Sequence, residues 1–229
     1  MRAVSASDPA PRDSTAPCRE LLRIPIAGRD WLIERLADLE TLWAGMDEHQ
    51  FGADERLPYW AEVWPASILL AGQILRSGPR LAGRTVLDLG CGLGLTAVAA
   101  SSVGARVLGL DYEAQALRFA RGNAARNNAP QPLWTLMDWR RPGLKPGVFS
   151  FVLAGDIFYE QRFFDPLRRL LGEALAGDGV AWLAEPERSV SAPSRLADLG
   201  FAVRLLCTEK VAAVPAGNVV TVNLFELAR

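Results

Sequence analysis

The chain has few of the side chains that metal and disulfide chemistry require. Its 229 residues include one histidine, His49, and three cysteines, Cys18, Cys91 and Cys207, with no C-x-x-C spacing. No metal site is therefore expected, and an odd set of cysteines favours a reduced, cytoplasmic protein. No apolar run approaches the roughly 18 residues of a membrane-spanning helix. The formal net charge of −1 is not the basic footprint of a nucleic-acid-binding protein.

The composition predicts one large domain with a small appendage. Residues 1–19 are rich in Ala, Pro, Ser and Asp without an apolar stretch, which is typical of a flexible tail and not of a signal peptide. Residues 20–57 predict an appendage, built from a β-hairpin over 22–35 and a short helix over 38–46. A helix that starts at Asp30 is the alternative for the second half of the hairpin, because Leu32 and Leu36 also fit a helical spacing. Residues 58–229 form the main domain, and a monomer is favoured.

From Pro65 onward the apolar pattern alternates between helices and strands. The pattern predicts a helix from Pro65 that fades by Gly78, then strands 84–89, 106–111, 133–137, 149–155, 179–185, 201–207 and 218–227, with helices over 94–102, 113–127, from Asp165 to Gly177, and about 192–199. Such alternation is typical of a parallel sheet covered by helices on both faces. The last two strands are joined by a short connection without a helix, so they can pair only antiparallel.

The sequence therefore predicts an α/β fold, a doubly wound, seven-stranded, mostly parallel sheet with a reversed last strand. In such sheets a ligand binds beyond the carboxyl ends of the strands, where the strand order reverses.

The most informative segment is the glycine turn behind the first strand of this sheet. Gly90, Cys91, Gly92 and Gly94 fall in the spacing G-x-G-x-G, and a helical stretch opens directly after them. A strand, a tight turn and a helix N-terminus bring backbone N–H groups close to a nucleotide-like ligand. Asp88 adds a carboxylate that would repel a pyrophosphate and attract a sulfonium. S-adenosylmethionine is cationic and has no phosphate, so the turn indicates methyl transfer before hydride transfer.

Two further acidic residues close predicted strands on the same rim. Asp111, followed by Tyr112, lies about twenty residues beyond the first glycine, where a carboxylate can accept both ribose hydroxyls of an adenosine. Capping of the next helix is the alternative role. Asp138 can accept from the adenine amine while Trp139 closes the pocket around the ring, or the pair can serve only as a turn cap and a core residue.

Asp156 closes the fourth predicted strand, and Phe158 and Tyr159 follow at once. A carboxylate with aromatic neighbours suits an amine, through a charge-assisted hydrogen bond and a cation–π contact. We therefore predict that Asp156 orients the substrate beside the cofactor and that Tyr159 belongs to the catalytic set. A simple turn cap is the alternative for Asp156.

Four segments, taken in order, resemble one family. They are the W-P segment 59–66, the glycine turn 87–94, the Asp-Trp pair 138–139 and the D-x-F-Y segment 156–159. Over residues 55–160 the chain is similar to the family 16 seven-β-strand protein methyltransferases. This branch includes the lysine methyltransferase of the electron-transfer-flavoprotein β-subunit and nicotinamide N-methylase-like proteins.

The resemblance implies the class I, Rossmann-like methyltransferase fold, S-adenosyl-L-methionine as cofactor and a lysine of a protein as methyl acceptor. It implies that Trp64, with Trp60 in the same segment, lines the cofactor and that Asp156 faces the substrate amine. Two departures stand out. Ala66 occupies a position where glycine is expected, and residues 184–188 are more acidic than the family's pattern, which bears on the substrate.

Three other functions remain open on the sequence alone. A small amine or a nicotinamide-like compound can be the acceptor, and a cleft roofed by the N-terminal hairpin would favour it, whereas an open cleft favours a protein. A non-catalytic cofactor-binding or chaperone-like module is the second alternative, and a dinucleotide oxidoreductase is the third. Five acidic residues at predicted rim positions favour a cationic partner: Glu62, Asp156, Glu160, Glu185 and Glu187.

Overall fold

The computed structural model describes residues 18–37, 58–187 and 201–228. The helices predicted over 38–46 and 192–199 lie outside these residues, as do His49 and nearly all of the predicted tail. In the part of the chain that is described, no helix is long and apolar enough to cross a bilayer.

The described strands and helices follow the predicted order. The strands are β1 (Arg19–Ile26), β2 (Arg29–Leu36), β3 (Thr85–Leu89), β4 (Arg106–Asp111), β5 (Leu133–Leu136), β6 (Phe149–Gly155), β7 (Leu175–Pro186), β8 (Ala202–Ala212) and β9 (Val219–Ala228). The helices are α1 (Pro65–Arg76), α2 (Gly78–Leu81), α3 (Leu95–Ser102), α4 (Ala114–Arg126) and α5 (Gln161–Ala174), with a 3-10 turn at Tyr59–Ala61.

Seven strands form the main sheet in the order β5-β4-β3-β6-β7-β9-β8. Strands β3 to β7 are parallel to their neighbours, and β9 is antiparallel to both β7 and β8. The predicted doubly wound sheet with a reversed last strand is therefore confirmed. The strand order reverses between β3 and β6, which places a crevice at the carboxyl ends of these two strands.

Both faces of the sheet are covered because side chains alternate along each strand. On β6, Phe151 and Leu153 pack into one apolar cluster, with residues of α1 and α3. Val152 and Ala154, which point the opposite way, pack into a second cluster with α5. The sheet is thus buried between two helical layers, as near-continuous apolar strands require.

The predicted N-terminal hairpin is confirmed as a separate two-stranded sheet. Strands β1 and β2 pair antiparallel over their full length, and Ala27 and Gly28 at the turn both have positive φ, 53° and 75°. Trp31 and Ile33 are fully buried, so the hairpin packs one face against the main domain.

The predicted start of α5 at Asp165 is wrong. The helix begins four residues earlier, at Gln161, and Pro166 lies inside it. Phe163 and Phe164 are buried together with Leu167 one turn later, and burial of this apolar face outweighs the backbone hydrogen bond that a proline removes. The helix also ends at Ala174, before the predicted Gly177, because β7 begins at the next residue.

Candidate functional site

A cleft opens at the carboxyl ends of β3, β4 and β6. This is the edge at which the strand order reverses, the usual place for a ligand in an open α/β sheet. The lining residues are Tyr59, Trp60, Glu62, Val63, Trp64, Ser67, Gly90, Cys91, Gly92, Leu93, Gly94, Leu95, Thr96, Asp111, Tyr112, Trp139, Gly155, Asp156, Ile157 and Tyr159.

At each glycine of the turn, the backbone dihedral angles and the close neighbouring atoms disfavour a side chain. Gly90, Gly92 and Gly94 have φ of 69°, 49° and 85°, the left-handed region that other residues rarely adopt. A Cβ on Gly94 would lie 2.8 Å from the Cβ of Ala120, and one on Gly92 would lie 3.3 Å from the Trp60 carbonyl oxygen. The backbone conformation therefore favours glycine at all three positions, and at Gly94 close packing also excludes a side chain.

The turn is fastened to β4 by hydrogen bonds. The Cys91 N–H donates to the Leu110 carbonyl at 2.9 Å, and the Gly92 N–H donates to Oδ2 of Asp111 at 2.8 Å. The other oxygen of Asp111 accepts from the Glu113 N–H at 2.9 Å. Burial raises the pKa of Asp111 to about 6, with these backbone donors acting in the opposite direction. Burial also raises the pKa of the Cys91 thiol, so the thiol stays protonated.

Asp88 does not line the cleft, which corrects the role expected from its position in the sequence. The side chain is 1% exposed, and its Oδ2 accepts a hydrogen bond from the Thr96 hydroxyl at 2.6 Å. The carboxylate turns inward because Thr96, in the first turn of α3, offers it a donor beneath the glycine turn. Burial raises the pKa of Asp88 to about 7, against the effect of Thr96. Asp88 therefore links β3 to the first turn of α3 across the glycine turn.

The predicted pair Asp138 and Trp139 is divided between two places. Trp139 is buried and lines the cleft, with its ring 6.2 Å from Tyr112 and 5.4 Å from Phe163. Asp138 is absent from the lining and forms an ion pair with Arg140, whose Nε lies 2.8 Å from Oδ2. The carboxylate of Asp138 is engaged by this arginine and does not line the cleft, so the predicted adenine contact of Asp138 is not supported by its position.

Asp156 directly follows β6 and lines the cleft on the other side of β3 from β4. Its backbone is held by a hydrogen bond from its N–H to the Ala184 carbonyl at 2.8 Å, and its φ is 53°. A left-handed conformation at a non-glycine residue is often found at functional sites. The side chain is buried and lines the cleft.

Tyr159 lies in the same cleft, three residues further on. Its ring is 4.9 Å from the ring of Tyr59, in an edge-on arrangement, and 5.8 Å from that of Phe163. Burial raises the pKa of Tyr159 well above its usual range. The phenol therefore stays neutral and can orient a ligand without accepting its proton.

The W-P segment forms the entrance of the cleft. The indole N–H of Trp64 donates to the Tyr59 carbonyl at 2.9 Å, which closes the segment on itself around the 3-10 turn. The ring of Trp60 packs 5.7 Å from Phe119 on α4. Trp60 and Trp64, which were predicted to contact the cofactor, both line the cleft.

Nine lining residues were not among the predicted site residues: Tyr59, Glu62, Val63, Ser67, Leu93, Leu95, Thr96, Gly155 and Ile157. Glu62 was expected at the rim because of its charge. Most of the others are chain neighbours of predicted residues, and adjacency to the motifs was the only sequence signal for them. Ser67 is different. It lies in the first turn of α1, next to Gly155. Its hydroxyl donates to the Trp64 carbonyl at 2.7 Å.

The lining carries one sign of charge. Glu62, Asp111 and Asp156 contribute carboxyl groups, and within the described part of the chain no lysine, arginine or histidine lines the cleft. Glu160 and Glu185, which were also expected at the rim, lie elsewhere: the first pairs with Arg162 and the second is buried. Likewise, the described residues contain no cluster of three or more potential metal ligands.

Comparison with known proteins agrees with this architecture. The family model described as ribosomal protein L11 methyltransferase (PrmA) matches residues 73–157. The electron transfer flavoprotein beta subunit lysine methyltransferase of Danio rerio is 38% identical over 116 residues, which are 50% of this chain and 44% of that protein. Protein N-lysine methyltransferase METTL21A of Mus musculus is 30% identical over 130 residues, 54% of this chain and 59% of that protein. The chain thus spans about half the length of the relatives it matches.

Two solved structures extend the likeness beyond the central motifs. The 16S rRNA N2 G1207 methyltransferase RsmC of T. thermophilus, solved with AdoMet and guanosine, has a TM-score of 0.64 at 18% identity, covering 98% of this chain and 53% of that one. The YcgJ protein of Bacillus subtilis has a TM-score of 0.58 at 14% identity, covering 70% of this chain and 98% of that one. The chain therefore has the class I methyltransferase fold and, over about half its length, is similar to protein-lysine methyltransferases.

Proposed function

We propose that the protein is an S-adenosyl-L-methionine-dependent N-methyltransferase that acts on a lysine of a protein substrate. The observation that carries the proposal is the cleft itself, which joins the glycine turn and Asp111 on one side to Asp156 and Tyr159 on the other. Similarity to lysine methyltransferases over about half of the chain supports the same reaction.

The residues of the cleft fit the proposed cofactor. A sulfonium compound without phosphate needs no cationic side chain, and the described lining has none. Asp111 stands beside the turn, where its carboxylate can accept ribose hydroxyls in addition to the backbone N–H groups that it already binds. Trp139 and Tyr112 supply flat apolar surface for a purine ring. When bound, S-adenosyl-L-methionine supplies an electrophilic methyl group for direct in-line transfer.

The protein's part in the reaction is to bring a neutral amine to the correct place. A lysine amine has a reference pKa near 10.4, so only about one molecule in a few thousand is neutral at pH 7. Burial in the cleft lowers the pKa of that amine, whereas the carboxylate of Asp156 raises it. Asp156 therefore captures and aims the amine, and desolvation favours its deprotonation. Because direct transfer needs no covalent intermediate with the enzyme, positioning accounts for most of the rate.

In the part of the chain that the structure describes, the hairpin leaves the cleft uncovered, which favours a protein acceptor over a small molecule. The hairpin β1–β2 contributes no residue to the lining, and its outer edge is bound to α4 instead. Among the described residues, the hairpin does not roof the site. The carboxyl groups of Glu62 and Asp156 suit a lysine-bearing segment.

Two measurements test the proposal. S-adenosylhomocysteine should raise the melting temperature of the protein, and NAD should not. The pure protein with methyl-labelled cofactor and host extract should label one protein, and acid hydrolysis of that protein should yield methyl-lysine. Label in a small compound would favour the amine alternative, and binding without transfer would favour a non-catalytic module. No binding of either cofactor form would refute the proposal.

We also propose a cytoplasmic location. Cys18, Cys91 and Cys207 are all free in the structure, as expected in a reducing compartment. Fractionation of cells that express the tagged chain tests this: recovery with the membrane or secreted fraction would contradict it.

A further inference from the structure

Asn123 on α4 and Asn127, the C-cap residue of that helix, hold the edge of the hairpin. Asn127 accepts from the Leu32 N–H at 3.0 Å and donates to the Leu32 carbonyl at 2.8 Å. Asn123 accepts from the Glu34 N–H at 2.8 Å and donates to the Glu34 carbonyl at 3.1 Å. A side-chain amide offers the same donor and acceptor as a peptide group, and residues four apart lie on one face of a helix. The pair therefore takes the place of a neighbouring strand for β2.

The two asparagines differ in one contact. The amide of Asn127 also donates to the Asn123 carbonyl within α4, at 2.8 Å. The amide of Asn123 donates at 3.0 Å to the carbonyl of Leu93, which belongs to the glycine turn and lines the cleft. Asn123 is fully buried, so the bond to Leu93 is shielded from water.

From this difference we infer that Asn123 is a positioning residue for the cofactor site, and that the docked hairpin is part of the support of that site. The side-chain amide of Asn123 donates to the Leu93 carbonyl and to the Glu34 carbonyl, and the side-chain oxygen accepts from the Glu34 N–H. The glycine turn is thus fastened on two sides, to β4 through Asp111 and to the hairpin through Asn123. The inference rests on the proposed function, because it concerns binding in the same cleft.

An ion pair also connects the hairpin with the entrance segment of the cleft. Arg35 on β2 is 6% exposed, and its guanidinium lies 2.7 Å from the Glu62 carboxylate, which lines the entrance. The hairpin is therefore linked to the glycine turn through Asn123 and to the entrance segment through Arg35, although it contributes no lining residue itself. Since binding equilibria are reciprocal, a hairpin that supports the site must in turn be stabilised when the site is filled.

Matched variants test the inference. Asn123→Asp and Asn127→Asp both keep the size of the side chain and the oxygen that accepts a hairpin N–H. Both also replace an amide donor that faces two carbonyls by an acceptor. We expect Asn123→Asp to weaken the affinity for S-adenosylhomocysteine about tenfold and Asn127→Asp less than about twofold, since one buried hydrogen bond to the turn distinguishes them. Calorimetry should be done at a temperature where both variants are folded.

The kinetic readout separates positioning from a general loss of structure. The Michaelis constant for the cofactor should rise in Asn123→Asp while the one for the acceptor stays near the wild-type value. Equal affinities in the two variants would overturn the inference. If the wild type itself fails to bind S-adenosylhomocysteine, the proposed function is refuted and the inference falls with it.

Hydrogen exchange in the wild type provides a test that does not depend on the folding of a variant. Saturation with S-adenosylhomocysteine should slow exchange of the amides in 29–36 severalfold more than in 202–212, which is strand β8 at the far edge of the main sheet. Similar changes in both segments would show that the hairpin is not coupled to the site, and would also overturn the inference.

Discussion

The carboxylate of Asp111 accepts a hydrogen bond from the backbone N–H of Gly92 at 2.8 Å. Because Asp111 ends β4 and Gly92 lies in the turn behind β3, this bond fixes the distance between two neighbouring strand ends. Its second oxygen holds the Glu113 N–H at the start of α4. One buried carboxyl group thus sets the shape of the turn and presents a negative charge to the cleft.

The affinity for S-adenosylhomocysteine should fall as the pH is lowered through about 6, the raised pKa of Asp111. Donors such as ribose hydroxyls favour the ionised carboxyl, so protonation removes the better acceptor. A single linked proton changes the affinity by up to about tenfold per pH unit. Calorimetry between pH 5 and pH 8 measures this, and Asp111→Asn should bind more weakly with little dependence on pH. A flat wild-type profile would exclude Asp111 from ligand binding.

The Asp156→Asn variant should lose turnover while it keeps cofactor binding. The amide keeps the shape of the side chain but removes the charge that captures an ammonium group. We expect kcat/KM to fall about 100-fold or more, the usual cost of losing a charged contact to the reacting group. The matched control is Asp178→Asn, since the Asp178 side chain is 81% exposed and pairs only at 3.9 Å with Arg84. Wild-type turnover in Asp156→Asn would remove Asp156 from the mechanism.

Much of the fold follows from short-range patterns in the sequence. Apolar runs such as 149–155 and the glycines at 90, 92 and 94 determine strands and a turn through local sterics, and the structure has both where they were predicted. The start of α5 was misplaced because the signal of Pro166 is local, whereas burial of Phe163 and Phe164 depends on the sheet that they cover.

The direction of a polar side chain is harder to predict than its position along a strand. Asp88, near the end of β3, and Asp138, two residues beyond β5, were both expected at the cleft, yet the first is buried against Thr96 and the second pairs with Arg140. No sequence pattern pointed to a role for Asn123, because its hydrogen-bond partners lie 30 and 89 residues away in the chain. Contacts of this kind appear only when the elements are assembled.

Gly94→Ala should destabilise the protein more than Gly83→Ala. Both positions have positive φ, 85° and 73°, so both variants carry the strain of a left-handed alanine, about 1 kcal/mol. Only at position 94 would the new methyl group overlap with Ala120, at 2.8 Å, since position 83 has no atom within 4 Å. Overpacking adds about 1–3 kcal/mol. Urea unfolding of the two variants measures the difference, and equal losses would show that the contact of α3 with α4 adapts freely.

Arg35→Gln should lower the free energy of unfolding by about 2 kcal/mol, because it leaves two carboxylates without their shared partner. Arg35 lies between Glu20 at 3.1 Å and Glu62 at 2.7 Å, and its side chain is 7% exposed. The control on the same hairpin is Arg23→Gln. Arg23 and Asp30 are 3.0 Å apart but 69% and 46% exposed, and such surface pairs contribute less than about 1 kcal/mol.

The same variant separates stability from function at the entrance of the cleft. Glu62 lines the entrance. In the variant, its negative charge is no longer balanced by the Arg35 guanidinium. The Michaelis constant for a cationic acceptor should therefore fall or stay constant in Arg35→Gln, measured at a temperature where the variant is fully folded. A severalfold rise would mean that Arg35 holds the entrance segment in its binding conformation, and that geometry there outweighs charge.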